Sequence, residues 1–192
     1  WPLECQADER CDADQRFLEA IADWCDRYTP LVALDGDSGL FLDITGCAHL
    51  FGGEKALMDD LLARLFHQGL SAGAAIAATP GAAFALSRYS SGMIVETGAE
   101  AGALRPLPLA ALRLEPGLAA SLARVGLQRV GDIMDAPRAP LARRFGAHLI
   151  RRLDQALGRE EEAISPRLPL PMIMAERRLA EPVVLTEDIE RL

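Results

Sequence analysis

The sequence predicts an α+β fold, in which an antiparallel sheet covered by helices on one face precedes a small all-α module. Two features of the pattern predict this division. Helix and strand patterns alternate as far as residue 95, whereas only helix patterns and short turns follow residues 104–108. Half of the 192 residues are hydrophobic, which is enough to form the core of one large or two small domains.

A β-hairpin is predicted within residues 31–53. Apolar residues alternate with small or polar ones on both sides of the run DGDSG, at Val32, Leu34, Leu40, Leu42 and Ile44. Glycine, aspartate and serine are typical of tight turns because they tolerate positive φ or bond their own backbone. Residues 35–39 are therefore the predicted turn, and Asp43 lies late in the second strand.

Helices and further strands are predicted on both sides of the hairpin. Apolar spacing predicts a helix over residues 12–28 with Asp12 or Asp14 as its N-cap, and a second helix that begins after Gly53 and stops at Gly69. Thr79 and Pro80 are an N-cap and a first helical residue for a third helix. Short strands are predicted at residues 71–77 and 93–95, and a further strand is expected upstream.

The second half of the chain reads as a compact helical module. Its predicted helices cover residues 109–114, 117–125, 130–135, 138–145 and 147–157, separated by glycine and proline. Residues 159–178 contain three prolines and a charge run, which predicts a linker. Residues 179–185 then resemble a strand, and Thr186 begins a helix pattern.

Charge and cysteine usage narrow the function classes. The net charge is −8, but residues 113–159 hold nine arginines and four acidic side chains, which suggests one surface that faces a polyanion. The same arginines could instead solubilise exposed helices.

The four cysteines lack the spacing of a zinc site: Cys5, Cys11, Cys25 and Cys47. Reduced thiols are therefore favoured, although a Cys5–Cys11 disulfide stays possible. No apolar run or signal-peptide pattern predicts membrane insertion, and both ends are expected to be truncations.

The segment LFLDITGCAHLFGGE, residues 40–54, resembles the palm of Y-family (DinB/UmuC-type) DNA polymerases. The phrases YTPLVALD and LARRFG also resemble ImuB-type subunits, the polymerase-like, non-catalytic partners in bacterial mutagenic translesion repair. The resemblance implies an incomplete, ferredoxin-like palm in residues 1–106, without its N-terminal strand and fingers. It further implies a helix-hairpin-helix-like thumb in 107–158, a linker in 159–178 and the start of a little finger in 179–192.

This sequence departs from the family where catalysis would occur. Polymerases of the family carry an adjacent Asp-Glu pair on the hairpin, which holds two Mg²⁺ ions with an Asp from the first palm strand. Ser38 and Gly39 stand at the Asp-Glu positions here, and the first-strand Asp lies outside the chain. The resemblance therefore implies no catalytic residue, no metal site and no cofactor. Asp43 is expected to have a structural turn or capping role.

The nucleotide and DNA contacts of the family are also altered. Active members of the family carry a lysine that contacts the incoming triphosphate, and Phe84 stands near that position here. Arg88 is therefore the remaining, weak nucleotide-binding candidate on that helix. In the thumb, Arg113 and Glu115 occupy the two glycine positions of the hairpin that cradles a DNA phosphate. The remaining candidates for non-sequence-specific DNA binding are arginines of the helical module: Arg124, Arg129, Arg143, Arg144, Arg151 and Arg152.

The resemblance implies a cytoplasmic, nucleoid-associated bacterial protein of the SOS response and of DNA damage tolerance. Its expected partners are damaged or primed DNA and, through regions outside this chain, a replicative-type polymerase, a sliding clamp and an accessory mutagenesis protein, with no membrane. Two alternatives stay open. An active, divergent polymerase would need Mg²⁺ and would have to recruit Asp35 or Asp37, whereas a protein-interaction scaffold would make no DNA contact.

Overall fold

The computed structural model describes the backbone of residues 2–167 and the side chains of residues 13–167 except Pro116. In chain order the elements are α1 (Pro2–Cys25), β1 (Val32–Asp35), β2 (Gly39–Leu42), α2 (Glu54–His67), α3 (Pro80–Tyr89), α4 (Glu100–Leu104), α5 (Pro116–Ala123), α6 (Val130–Asp135), α7 (Arg138–Phe145) and α8 (Ala147–Ala156). Two 3₁₀ turns, Ala48–Phe51 and Leu109–Leu112, precede α2 and α5. The predicted α+β class is confirmed.

The hairpin forms as predicted, with β1 and β2 antiparallel in the register Val32–Leu42, Ala33–Phe41, Leu34–Leu40 and Asp35–Gly39. Three residues close the turn, and the first of them, Gly36, has φ +57°, a conformation that favours glycine. Val32 is buried against α1, where it forms the centre of a small hydrophobic cluster with Ala22 and Cys25.

The three helices predicted in the first half exist, with one wrong start. The first begins at Pro2, so Asp12 and Asp14 lie inside it and the predicted N-cap is wrong. The second begins after Gly53 as predicted. Thr79 caps α3 by accepting a hydrogen bond from the Ala82 N–H at 3.1 Å, with Pro80 at the first helical position, which confirms both assignments.

The strands predicted at residues 71–77 and 93–95 are wrong as elements. Only an isolated parallel bridge joins Ile76 to Ile94, through the Ile76 N–H to Met93 O and the Val95 N–H to Ile76 O, both at 2.9 Å. A groove separates residues 70–77 from β2, so this stretch has no hydrogen-bonded strand on that side within the described residues.

The predicted helical module is observed, and α4, which the sequence pattern did not suggest, precedes it. The first predicted helix is a 3₁₀ turn that stops at Leu112, and the other four agree within two residues at each end. The larger hydrophobic core joins this module to α3: Leu86 is fully buried with Leu104, Leu122 and Leu149. One core therefore spans both sides of residue 106.

Residues 159–167 form neither helix nor strand, as a linker predicts, but they lie against the rest of the molecule. The Arg167 N–H donates to Val32 O at 2.8 Å, and its guanidinium donates to Glu19 O at 3.1 Å and pairs with Asp23. The remainder of the predicted linker, the strand at 179–185 and the helix at Thr186 lie outside the described residues.

Candidate nucleotide and nucleic-acid site

Ser38 and Gly39, which stand at the family's metal-binding positions, lie at the end of the hairpin turn. Ser38 is exposed, and its hydroxyl accepts a hydrogen bond from Arg88 at 3.0 Å. Gly39 pairs with Asp35, and a Cβ built on Gly39 would lie 3.2 Å from both Asp35 O and Asp35 Oδ2. The Asp35 carboxylate therefore occupies space that a side chain at position 39 would need.

Arg88, the predicted nucleotide-binding residue, lies in the last turn of α3 with its side chain exposed. Its guanidinium carbon is 4.6 Å from the ring centroid of Phe84, and the same group reaches Ser38. The structure thus brings a cation next to the position of the missing acid, a contact across 50 residues of chain that the sequence did not predict. Nucleotide binding by Arg88 stays a prediction.

The sequence marks Arg113 only as the replacement of a glycine in the family's phosphate-binding hairpin. In the structure its side chain reaches the β1–β2 hairpin. Its guanidinium lies over the rings of Phe41 and Phe84, 5.3 Å and 4.8 Å from their centroids. It also bonds the carboxylates of Asp35 and Glu162, at 3.4 Å and 3.1 Å. The sequence offered only a weak indication of this contact. Arg113 stands at a position that needs glycine geometry, and the predicted hairpin turn carries carboxylates that lack an evident partner.

Asp43 has the structural role expected of it. Its Oδ1 accepts the Thr45 N–H at 2.9 Å, and hydrogen bonding by Thr45 lowers the pKa of the carboxyl below its usual range. The Asp43 carbonyl oxygen in turn accepts a hydrogen bond from the Thr29 hydroxyl at 2.5 Å. Both contacts hold the chain as it leaves the second strand.

The six arginines predicted to bind DNA fall into two groups. Arg151 pairs with Glu160 at 3.1 Å, and Arg152 pairs with Glu162 at 2.9 Å. Within residues 13–167 no carboxylate pairs with the other four, whose side chains are exposed: Arg124, Arg129, Arg143 and Arg144. DNA contact by any of the six stays a prediction.

The surroundings of these four arginines differ. Arg124 and Arg144 line one crevice of about 510 Å³, whose other walls are Leu118, Ser121, Val125 and Phe145. Arg129 lines a separate crevice of about 340 Å³ that also contains the carboxylates of Asp132 and Asp135. Asp132 accepts the N–H groups of Gln128 and Arg129, which lowers its pKa and keeps it ionised. Only the first crevice presents arginines without acidic neighbours among its lining residues.

An apolar groove of about 790 Å³ lies between the hairpin, α1, α2, α3 and residues 70–77. Leu40, Leu42, Leu61 and Ile76 are among its walls, and Ser38 and Arg88 lie at its polar edge. No group of three or more His, Cys, Asp or Glu side chains within the described part of the chain is arranged to hold a metal ion. Asp35, the acidic residue among those that line the groove, is bonded to Arg113. The residues present do not fit the two-Mg²⁺ site of the family.

Known proteins with similar sequences align with most of this chain. No protein-family model matches the chain. It is 48% identical to Protein ImuB of Caulobacter vibrioides over 187 residues, which are 97% of this chain and 41% of that protein. It is 28% identical to DNA polymerase IV of Salmonella paratyphi A over 191 residues, covering 95% of this chain and 54% of the relative.

Solved structures agree with these relatives on the fold. A crystal structure of DinB from Sulfolobus solfataricus matches with a TM-score of 0.64 at 15% identity, covering 81% of this chain and 48% of that one. A Dbh ternary complex matches with a TM-score of 0.62. The resemblance to Y-family DNA polymerases is confirmed. The chain spans about half the length of these Y-family-like relatives or less.

Membrane insertion has no support in the helices that the structure describes. Across residues 2–167, each helix is too short or too polar to span a lipid bilayer.

Proposed function

We propose that this chain is part of a catalytically inactive, Y-family-like subunit that acts in translesion DNA synthesis. It binds primed or damaged DNA without sequence preference and positions partner proteins instead of inserting nucleotides. Those partners are a replicative-type polymerase, a sliding clamp and an accessory mutagenesis protein, which bind through regions outside this chain. The division into palm (1–106), thumb (107–158), linker (159–178) and little finger (from 179) belongs to the same proposal.

One observation carries the proposed inactivity. The two positions at which the family places its acidic pair hold a hydroxyl bonded to Arg88 and a glycine crowded by Asp35. Phosphoryl transfer needs Mg²⁺ to stabilise both the attacking and the leaving oxygen, and Mg²⁺ requires carboxylate oxygens in near-octahedral geometry. Oδ1 of Asp35 accepts from Arg113, so a metal ion at Asp35 would compete with a guanidinium that already neutralises the carboxylate.

Primer extension by the intact protein tests the inactivity. With Mg²⁺ or Mn²⁺ and all four dNTPs, we expect no extension above that of a buffer blank. We also expect isothermal titration to detect no micromolar dNTP binding. The active alternative predicts extension that disappears in Asp35→Ala or Asp37→Ala, and that result would refute the proposal.

The DNA interface is proposed at the crevice between α5 and α7. Arg124 and Arg144 face it, and the exposed Arg143 precedes Arg144 on α7. Exposed arginines attract phosphates without reading bases, and each phosphate contact contributes a salt slope of about −0.9 in log K against log salt. The acidic neighbours of Arg129 and the ion pairs of Arg151 and Arg152 make those three residues weaker candidates.

Fluorescence anisotropy with primed and single-stranded DNA over a range of salt tests this interface. The double variant Arg124→Gln/Arg144→Gln should weaken binding to all sequences and flatten the salt slope by about 2, one for each lost phosphate contact. Arg64→Gln is the matched control, since Arg64 is an exposed arginine of α2 that pairs with Asp60. DNA binding that lacks a salt slope, or no binding at low salt, would favour the scaffold alternative.

A further inference from the structure

Arg113 combines an unfavourable backbone conformation with an enclosed side chain. Its φ is +55°, and every other described residue with positive φ is a glycine. L-residues with a Cβ rarely adopt this left-handed region, and they persist there only where the surrounding contacts impose it. The resembled hairpin has glycine at this position, which would adopt the same conformation without strain. The contacts of the side chain must therefore explain why an arginine is held here.

Those contacts come from three elements that precede Arg113 by many residues. Phe41 of β2 and Phe84 of α3 both present their rings to the guanidinium, and Asp35 at the end of β1 accepts from Nη1 at 3.4 Å. The Arg113 side chain is 18% exposed and that of Asp35 is 17% exposed. Arginine suits this position because its planar group stacks on aromatic rings while its edge bonds carboxylates.

Glu162 extends the network to a third part of the chain. Its Oε2 accepts from Arg113 Nη2 at 3.1 Å and its Oε1 accepts from Arg152 Nη1 at 2.9 Å, with its side chain 11% exposed. The resulting series is Asp35, Arg113, Glu162 and Arg152, which alternates in sign and balances two anions with two cations. Such charges tolerate partial burial because each has a bonded partner, and removing one member leaves another unpaired.

Residues 159–167, which we call the strap, connect this network to the far side of the hairpin. The strap leaves α8, passes Arg113 at Glu162 and ends at Arg167, whose N–H bonds Val32 O on β1. Arg167 also pairs with Asp23 of α1. The strap is therefore held at its middle by Arg113 and Arg152, and at its end by α1 and β1.

We propose that Arg113 is the centre of a conformational lock that holds the helical module and the strap on the β1–β2 hairpin without DNA or metal. The lock turns the side chain at a former phosphate-cradle position inward, onto the hairpin. It places a guanidinium on Asp35, the cross-strand partner of Gly39, which stands at one of the positions where the family binds its cations. This inference concerns the geometry of the described residues and does not depend on the proposed role in translesion synthesis.

Hydrogen–deuterium exchange of the intact protein tests the lock. Arg113→Gly removes the side chain and relieves the backbone strain, so a folded protein is expected. The strap and β1–β2 should then exchange at least tenfold faster, whereas α2 should be unaffected. Arg143→Gly is the matched control, since it removes an exposed arginine of α7 and should leave the strap unchanged.

Glu162→Gln provides a second test that does not alter the turn. It should accelerate exchange of the strap to a similar degree, and the double variant with Arg113→Gly should add little, because both residues act in one network. Raising the salt concentration should accelerate strap exchange in the wild-type protein more than in Glu162→Gln, since ion pairs are screened. Unchanged strap and hairpin exchange in Arg113→Gly overturns the lock. If that variant does not fold, unchanged exchange in Glu162→Gln does so.

Discussion

Gly81 offers the sharpest test of how the palm-like half is packed on the helical module. It is buried near the start of α3, where a Cβ built on it would lie 2.9 Å from Ala156 Cα, 3.1 Å from Ala156 Cβ and 3.2 Å from Ala156 N. Carbon atoms in contact lie about 3.5–4.0 Å apart, so Gly81→Ala must separate α3 from α8 by ~1 Å. Because two of the three atoms are backbone, no side-chain rotation relieves the overlap.

The magnitude follows from two opposing effects. Overpacking a close helix contact costs about 1–3 kcal/mol of unfolding free energy, whereas replacing a helical glycine by alanine returns up to about 1 kcal/mol. Gly117→Ala separates these effects, since Gly117 also follows a proline at the start of a helix but has no heavy atom within 4 Å of its built Cβ. The unfolding free energy of Gly81→Ala should lie below that of Gly117→Ala by about 1–3 kcal/mol.

Urea unfolding followed by circular dichroism measures both variants against the wild type. Gly117→Ala is expected to be neutral or slightly stabilising, and Gly81→Ala destabilising. A crystal structure of Gly81→Ala should show α3 and α8 farther apart than in the wild type. Equal unfolding free energies within about 0.5 kcal/mol would refute the packing argument, because the two substitutions differ only in what the new methyl group meets.

Two further outcomes are expected, one at the start of α3 and one at the end of α1. Thr79→Ala should lower the unfolding free energy by about 1–2 kcal/mol, because the hydroxyl both caps α3 and donates to Ala156 O at 2.9 Å. Thr79→Ser keeps the hydroxyl and should retain the wild-type unfolding free energy. An equal loss in both variants would contradict this. Burial raises the pKa of Cys25 to about 11 and, with the hydrogen bond to Asp60, that of Tyr28 to about 12. Folding therefore favours both neutral forms, so the contribution of these two groups to stability should be constant below about pH 9 and fall as the pH rises toward 11 and beyond. Urea unfolding at pH 8 and 10.5 measures this, and the loss should be smaller in Cys25→Ala.

Local signals explain which elements the sequence could predict. The Thr79–Pro80 pair, the Gly52–Gly53 turn and the glycines that separate the helices of the second half act within a few residues, so their effect is readable from the chain alone. The hairpin was equally local, because its turn and its alternation lie within a dozen residues. The prediction of a strand at residues 71–77 was wrong because a strand also depends on a pairing partner, which local sequence does not specify.

The contacts of Arg113 depend on long-range positions and were not predictable in this way. Asp35 lies 78 residues before it and Glu162 lies 49 residues after it. A pattern of composition marked residues 159–178 as a linker, and only the fold places Glu162 between two arginines. The same limit applies to the six arginines of the helical module, which look alike in sequence but differ in whether a carboxylate pairs with them.

The Gly39 position and the Arg113 side chain are connected through Asp35. At the hairpin, Asp35 fills the space beside Gly39 and is itself held by Arg113. A glutamate at position 39 would require Asp35, the ion-pair partner of Arg113, to shift by a few tenths of an ångström, a demand that the exposed Ser38 position does not share. The two family positions are thus unequal in this chain: Ser38 is exposed and bonded only to Arg88 within the described residues, whereas Gly39 is built into the packing of the hairpin.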